Sequence, residues 1–399
     1  MRLELPVPVS DALDVLIDAG HDAVLVGGCV RDLVRGESPG DWDVATSAHP
    51  DRVMELFPGA SIENRFGTVT VRRGGLQVQV TPFRAEGSYA DHRRPDEVRF
   101  GVDLAEDLER RDFTVNAMAW SPRGEATPSQ GGVARDGELI DPHGARRDLA
   151  DGVLRAVGDP DTRLGEDALR LLRAVRFAVR LGLRLDDVTR DAVTRRAADA
   201  RLLSGERVRD ELRRMLTSQE PPPSAAIMLM EQLGLLGEVL PEVASLRGVP
   251  QAKALPGDAL DHSLRTLDAL PASDPVLRLA GLLHDVGKPG TMADHRFVGH
   301  EILGARLARD VVERLRFARA EIQRVTHLVR HHMFTYAPDW TDAAVRRFVR
   351  RVGSDRLDDL FALRRADNAA SGVTEPRVGG LAELQRRVDD AMRGAAVET

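Results

Sequence analysis

Leu25-Val-Gly-Gly-Cys-Val-Arg-Asp32 and, a few residues later, Gly40-Asp-Trp-Asp-Val-Ala-Thr46 read as a strand, two glycines, a short helix and a second strand. Gly27 and Gly28 have no Cβ, so backbone N–H groups there can approach an anion beside a helix N-terminus. Side chains alternate along a strand, which puts Asp41 and Asp43 on one face a few ångströms apart. Adjacent carboxylates repel unless a hard cation such as Mg²⁺ lies between them. A phosphate cradle beside a carboxylate pair implies metal-assisted phosphoryl or nucleotidyl transfer. Either short motif alone favours a plain strand–turn–helix in which Asp43 caps something. Together, in this order, they favour the chemical reading.

Outward from this stretch, Ser10 to Ala19 reads as a serine-capped helix and Pro50 to Phe57 as a helix with proline near its start. Thr68 to Arg72 and Leu76 to Val80 alternate around Gly74-Gly75, a hairpin pattern. Phe83 to Pro95 is polar and aperiodic, a loop whose arginines suit phosphate or base contact as well as plain solvation. Glu106 to Trp120 reads as a helix carrying Arg111 and Asn116, and residues 121–137 as an exposed loop. These elements predict an α+β fold: a small mixed or antiparallel sheet in front, then an all-helical remainder. Thr162 to Arg180 reads as one amphipathic helix, with Glu166, Asp167, Arg170, Arg173 and Arg176 off its apolar stripe. Ser204 to Leu216 reads as a serine-capped helix, and Ala225 to Glu238 as a helix pair after Pro221-Pro-Pro223. The expected domains are 1–150, 151–250 and 255–399.

Past Pro256 the pattern stays helical, and seven of the 11 histidines fall within about 70 residues. Isolated helical histidines are more often structural. The density here, with His284-Asp285 ahead of Gly287, favours a His/Asp metal site suited to Mn, Fe, Zn or Mg.

Bulk properties narrow the class. The 399 residues are 30% charged and 42% apolar, with one cysteine. That length exceeds one ordinary core, and Cys29 alone excludes a disulfide framework or a thiolate cluster. No apolar run reaches the ~18 residues of a membrane span, and Met1 to Pro6 lacks a secretory signal, so a cytoplasmic, membrane-free protein is expected. A net charge of −7 argues against indiscriminate nucleic-acid binding, not against a local basic surface. Lys253 and Lys288 are the only lysines; a GC-rich genome explains such an arginine bias.

Three motifs in order, Leu25 to Asp32 with Asp41-Trp-Asp43, Arg110-Arg-Asp-Phe-Thr-Val-Asn-Ala117 and Glu166-Asp-Ala-Leu-Arg170, resemble the class II tRNA nucleotidyltransferases. These comprise the CCA-adding enzymes and the bacterial poly(A) polymerases that share their catalytic half. From His262 onward the chain resembles the HD phosphohydrolase domain fused to some of them, through His262, His284-Asp285 and Asp367. The resemblance implies a nucleotidyltransferase palm, a helical neck and body, and an HD domain. It implies tRNA, CTP and ATP as partners. Asp41 and Asp43 would be catalytic and hold two Mg²⁺ ions; Gly27, Gly28 and Arg31 would position the triphosphate. Arg111, Asp112 and Asn116 match the motif for the nucleotide's sugar and phosphates, and the Glu166–Arg170 helix with Arg173 and Arg176 completes nucleotide binding. His262, His284, Asp285 and Asp367 would hold a divalent metal (Mn, Ni, Fe, Zn or Mg). The loop at Glu86 to Pro95 matches the element needed to pass from C to A addition, which counts against a pure CC-adder.

Asp167 and Arg170 are three apart and would share a helical face. An ionised Asp accepts and an Arg donates. Cytosine and adenine each present an amino donor beside a ring-nitrogen acceptor, so one Asp/Arg pair suits both. Uracil and guanine present the reverse, at about 1–3 kcal/mol per mismatched group. By spacing alone an ordinary surface ion pair is the better explanation of these residues; the motif around them decides for base selection.

Two departures stand out. Many relatives carry an acidic residue on the strand before Thr81-Pro-Phe-Arg84, where this chain has Gln79. A long C-terminal extension is expected to be short or absent. CCA addition is the leading expectation, A-only addition or poly(A) synthesis the first alternative, and an HD phosphohydrolase with an RNA-binding N-terminal half the second.

Overall fold

The computed structural model describes residues 1–62, 67–86, 98–251, 253–294, 296–372 and 380–397. It divides into two compact units, Met1–Leu202 and Leu203–Thr399.

The first unit opens with β1 (Arg2–Leu5), α1 (Val7–Asp18), β2 (Ala23–Val26), α2 (Gly28–Val34), β3 (Trp42–Thr46), α3 (Pro50–Leu56) and β4 (Ser61–Ile62). It continues through β5 (Val69–Arg73), β6 (Leu76–Pro82), β7 (Arg84–Glu86), β8 (Val98–Phe100), α4 (Leu104–Glu109), β9 (Ala119–Ser129) and β10 (Gly132–Ile140). Eight strands form one mixed sheet in the order β1-β10-β9-β2-β3-β6-β5-β4, and β7 pairs with β8 separately. Only the β3–β6 pairing in that sheet is parallel. Alternation sorts the side chains to two faces. Leu25, Val44, Val78 and Val80 join Leu13 and Leu16 of α1 in the main core. Val24, Val26 and Ala45 pack with Phe83 and Leu108 in a smaller one. The unit closes with α5 (Ala145–Ala150), α6 (Pro160–Glu166), α7 (Leu169–Leu181) and α8 (Asp187–Arg195).

The α+β expectation holds, with corrections inside it. The first helix starts at Val7 rather than Ser10, because Pro6 and Pro8 preset its first turn and Ser10 is buried within it. Glu106 to Trp120 is not one helix. Asp103 caps the short α4, Asp112 then captures the Phe113 N–H at 2.8 Å, and a 3₁₀ turn at Thr114–Asn116 leads into β9. Residues 121–137 are not a loop but most of the β9–β10 hairpin. β2 pairs only with Trp120 and Ala119, so the outer part of β9 is a free edge on which Pro122 and Pro128 are tolerated. The proposed Thr162–Arg180 helix breaks at Asp167, whose φ of −142° and ψ of 109° are extended. Residues 87–95 of the Glu86–Pro95 loop lie outside the described residues.

The second unit is helical throughout its described residues. It comprises α9 (Gly205–Leu216), α10 (Pro223–Gln232), α11 (Leu235–Val239), α12 (Pro241–Ala244), α13 (Ala259–Asp268) and α14 (Pro275–Leu283). There follow α15 (His300–Arg314), α16 (Arg319–His331), α17 (Asp342–Val352), α18 (Leu357–Ala370) and α19 (Gly380–Val397). Ser204 stands at the N-cap of α9 but its side chain makes no capping bond. A Cβ at Gly287 would sit 2.1 Å from the His300 carbonyl oxygen, so this glycine lets the turn after α14 lie directly against the start of α15. No helix among the described residues is long and apolar enough to cross a membrane.

Candidate functional site

β2 and β3 are antiparallel, with Leu25 opposite Val44. The glycine turn after β2 therefore meets the start of β3, and the Cys29 thiol reaches the Asp43 carbonyl at 3.6 Å. Gly27 has φ +73°, and a Cβ there would lie 2.8 Å from Arg111 Nη1. Only glycine meets both demands. Asp41 is exposed just before β3, while Asp43 is half-buried on it. Burial pushes the Asp43 carboxyl above its ordinary range; Arg111 opposes the rise and Asp41 adds to it. An oxygen-only donor pair that resists carrying two negative charges fits a hard divalent cation. Gln79 is the register partner of Asp43 on β6, so the departure noted in the sequence lies beside the carboxylates.

Behind the turn runs a continuous polar network. Arg31 Nη1 donates to Asn116 Oδ1 at 2.6 Å, and Asn116 Nδ2 donates to Asp112 Oδ1 at 3.1 Å. Arg173 Nε donates to Asp112 Oδ2 at 2.7 Å. Burial alone would raise the Asp112 carboxyl, but Arg173, Asn116 and Arg170 hold it down at about 2. The Phe177 ring lies under three guanidinium groups, those of Arg176 at 4.1 Å, Arg173 at 5.1 Å and Arg31 at 5.6 Å. Arg111 Nη1 donates to the Asn116 carbonyl at 3.2 Å, and its Nη2 donates to the buried Asp107.

Asp167 and Arg170 do not share a helical face. At the α6–α7 break, Asp167 Oδ1 accepts the Leu169 N–H at 2.9 Å. The Arg170 guanidinium turns instead to Glu166 and to the carbonyls of Arg163 at 2.7 Å and Arg110 at 3.1 Å. Those three bonds use both hydrogens of Nη1 and one of Nη2, leaving Nε–H and one Nη2–H.

The second unit gathers a buried His/Asp cluster. His262 Nε2 lies 3.1 Å from His284 Nε2 and 3.1 Å from Asp367 Oδ1. Asp285 Oδ2 is 3.2 Å from His284 Nε2, and its Oδ1 is 3.3 Å from His300 Nε2. His332 Nε2 is 3.3 Å from His300 Nε2. Nδ1 of His284, His300 and His332 each meets a backbone carbonyl at 2.7–2.8 Å. Donation to those carbonyls leaves each Nε2 lone pair facing the cluster, the tautomer a metal ligand needs. Burial is the main force pushing His262 down to about 4 and His332 down to about 3, so both are neutral at pH 7. His284 belongs to two sets of ligand atoms close enough to share an ion, one with His262 and Asp367, the other with Asp285 and His332. Imidazole nitrogens with carboxylates fit a transition metal. Two ammonium groups complete the cluster: Lys253 donates to His262 Nε2 at 2.7 Å, and Lys288 to Asp285 Oδ2 at 2.5 Å.

The family models that match this chain follow these two centres. "Poly A polymerase head domain" covers residues 23–155, "Probable RNA and SrmB- binding site of polymerase A" covers 182–246, and "HD domain" covers 259–371. An A-adding tRNA nucleotidyltransferase of Deinococcus radiodurans is 36% identical over 379 residues, 91% of this chain and 80% of that protein. The chain belongs to the tRNA nucleotidyltransferase family. Among other members of this nucleotidyltransferase family, a CCA-adding enzyme of Geobacillus is 42% identical over 224 residues, 56% of this chain. The aligned part spans about half of that relative, 52% of its length. The solved structure of a Bacillus stearothermophilus CCA-adding enzyme in complex with CTP superposes with a TM-score of 0.67 at 27% identity, covering 96% of this chain and 82% of the other.

The nucleotidyltransferase positions singled out in the first 202 residues lie at the β2–α2 turn and on α2, at the start of β3, between α4 and the end of the 3₁₀ turn, and on α6–α7. Sequence reasoning passed over Phe177, and over Asp107, although Arg110 and Arg111 follow it at i+3 and i+4. His300 and His332 were noted only as part of a histidine-rich stretch; they complete the His/Asp cluster.

Proposed function

We propose that this protein adds CCA to tRNA 3′ ends from CTP and ATP without a nucleic-acid template. The observation that carries the reading is the half-buried Asp43 beside Asp41, set against the Gly27–Gly28 turn with Arg111 behind it. Asp41 and Asp43 would hold two Mg²⁺ ions, which when bound supply charge neutralisation for the triphosphate and acidify the RNA 3′-hydroxyl. The 3′-hydroxyl gives its proton to water as its oxygen bonds to the nucleotide's α-phosphorus; the bond from that phosphorus to the α–β bridging oxygen breaks, and pyrophosphate leaves with that electron pair. Gly27, Gly28 and Arg31 accommodate the triphosphate. Arg111, Asp112 and Asn116 position its sugar and phosphates, with Arg31 and Asp112 tied to one another through Asn116. Asp167 and the two uncommitted N–H groups of Arg170 present the edge that accepts cytosine or adenine. Glu166 fixes that guanidinium, and Arg173 and Arg176 clamp the network around Phe177. In this reading residues 1–150 perform the chemistry, 151–250 select the nucleotide and hold tRNA, and 255–399 form the HD domain.

A second reading, A-only addition, is favoured by one observation: the relative that aligns along 91% of the chain is an A-adding enzyme. Incubating the protein with tRNA ending before CCA, and with each nucleotide separately, decides between them. Incorporation of A but never C rejects the CCA reading.

We also propose that the HD cluster is a phosphohydrolase centre acting on 2′,3′-cyclic phosphates or 2′-nucleotides. His262, His284, Asp285 and Asp367 would hold its divalent metal, which when bound supplies Lewis acidity at the phosphate.

A further inference from the structure

A groove of about 660 Å³ runs between α15 and α16, lined by Arg306 and Arg309 on one helix and by Thr326, His327, Arg330 and His331 on the other. The three arginines are exposed. Neither Arg306 nor Arg309 forms an ion pair among the described residues, and the one carboxylate paired with Arg330 is Glu301, at 3.5 Å. Two imidazoles tilted by 40° to one another, with His327 and His331 centroids 4.4 Å apart, form part of the groove wall. Three exposed guanidinium groups with one paired carboxylate among the described residues concentrate positive charge in the groove, on a chain whose net charge is −7. Two polar atoms in its wall, Thr326 Oγ1 and His327 Nε2, are buried without a hydrogen-bond partner.

From this geometry we infer that the α15–α16 groove is an RNA backbone docking site, its arginines on phosphates and His327 Nε2 beside a ribose hydroxyl. The arginine spacing supports it: i, i+3 on α15 faces Arg330 on α16, which suits successive phosphates better than one compact anion. A neutral imidazole nitrogen accepts a hydrogen bond from a 2′-hydroxyl, the group that separates RNA from DNA. The site lies outside the 182–246 segment matched by the RNA-binding family model and outside the His/Asp cluster. It rests on the reading that the protein's substrate is tRNA.

The test is fluorescence anisotropy of labelled tRNA across a salt series, with wild type, the double variant Arg306→Glu/Arg309→Glu, and His327→Phe. For the double variant, Kd rises roughly tenfold or more and the slope of log K against log salt falls by about 2. Nucleotide addition at saturating tRNA keeps its kcat. His327→Phe narrows the preference for RNA over a DNA strand of the same sequence. Wild-type Kd and salt slope in the double variant would overturn the inference while leaving the tRNA reading intact. Failure of wild type to bind tRNA would reject the underlying reading itself. If calorimetry shows the double variant losing inorganic phosphate but keeping full tRNA affinity, the occupant is a small anion and the RNA assignment is wrong. Circular dichroism and metal uptake by the HD cluster check that the variants are folded.

Discussion

Gln79 and Asp43 are register partners on the parallel strands β6 and β3, so an amide stands beside the carboxylate pair. An amide oxygen adds a neutral dipole but no charge, so in the proposed reaction Asp41 and Asp43 would supply the negative charge that meets the cation. Gln79→Glu is expected to lower the Mg²⁺ concentration for half-maximal nucleotide addition by about tenfold, or ~1.4 kcal/mol of metal binding. A Mg²⁺ titration of incorporation measures it; an unchanged midpoint shows that position 79 does not address the metal.

The two centres should separate by mutation. Asp41→Ala abolishes nucleotide addition and spares any hydrolysis of cyclic phosphates. His284→Ala lowers the metal content of the protein and leaves nucleotide addition intact. Atomic absorption and the two activity assays give the readouts, and undiminished addition by Asp41→Ala rejects the carboxylate assignment.

At Gly27 the backbone conformation and Arg111 both oppose a side chain. Gly27→Ala should cost about 1–3 kcal/mol of stability through strain and displace Arg111 from the Asn116 carbonyl. A raised KM for nucleotide with a lowered melting temperature is the expected pair of changes; normal values for both would contradict the close approach.

Asp112 supplies a pH signature. Its folded pKa of about 2 lies below the ordinary 3.8, so its contribution is fully present above the unfolded value and fades as pH falls toward 2. The difference corresponds to about 2 kcal/mol at pH 7, with about half gone at pH 3. Urea unfolding of wild type and Asp112→Asn should show a stability gap at pH 7 that narrows at pH 3. A gap independent of pH points to lost packing instead.

Glu166 holds Arg170 in place, so Glu166→Gln should loosen nucleotide choice before it slows addition. Discrimination against UTP is expected to fall about tenfold to a hundredfold, the scale of one mismatched buried group. Single-turnover incorporation of CTP and UTP compares them directly.

Legibility in the sequence followed the range of the interactions. The glycine turn, the Asp41–Asp43 strand and the Gly74-Gly75 hairpin are local patterns, and each could be read from alternation and turn chemistry. The β9–β10 hairpin was hidden because its outer ribbon carries the prolines and polar residues of a loop. The break at Asp167 was hidden because the apolar spacing continues across it; extended backbone at one residue leaves no trace in periodicity. Most of the chemistry-bearing positions were legible as motifs, but their partners were not. Asn116 bonds Arg31 across 85 residues, and His300 joins His332 across 32, distances at which spacing carries no information.

Lys253 and Lys288 both end inside the His/Asp cluster, and no other lysine exists in the chain. The nucleotidyltransferase unit is thus free of side-chain amines, while the HD cluster holds every one. Amine-directed acylation or reductive methylation consequently reports on that cluster and, besides it, on the Met1 α-amine, which bonds the Gly137 carbonyl. A label on either lysine would be a spectroscopic probe of metal loading there, separable from the single α-amine by that group's lower ordinary pKa.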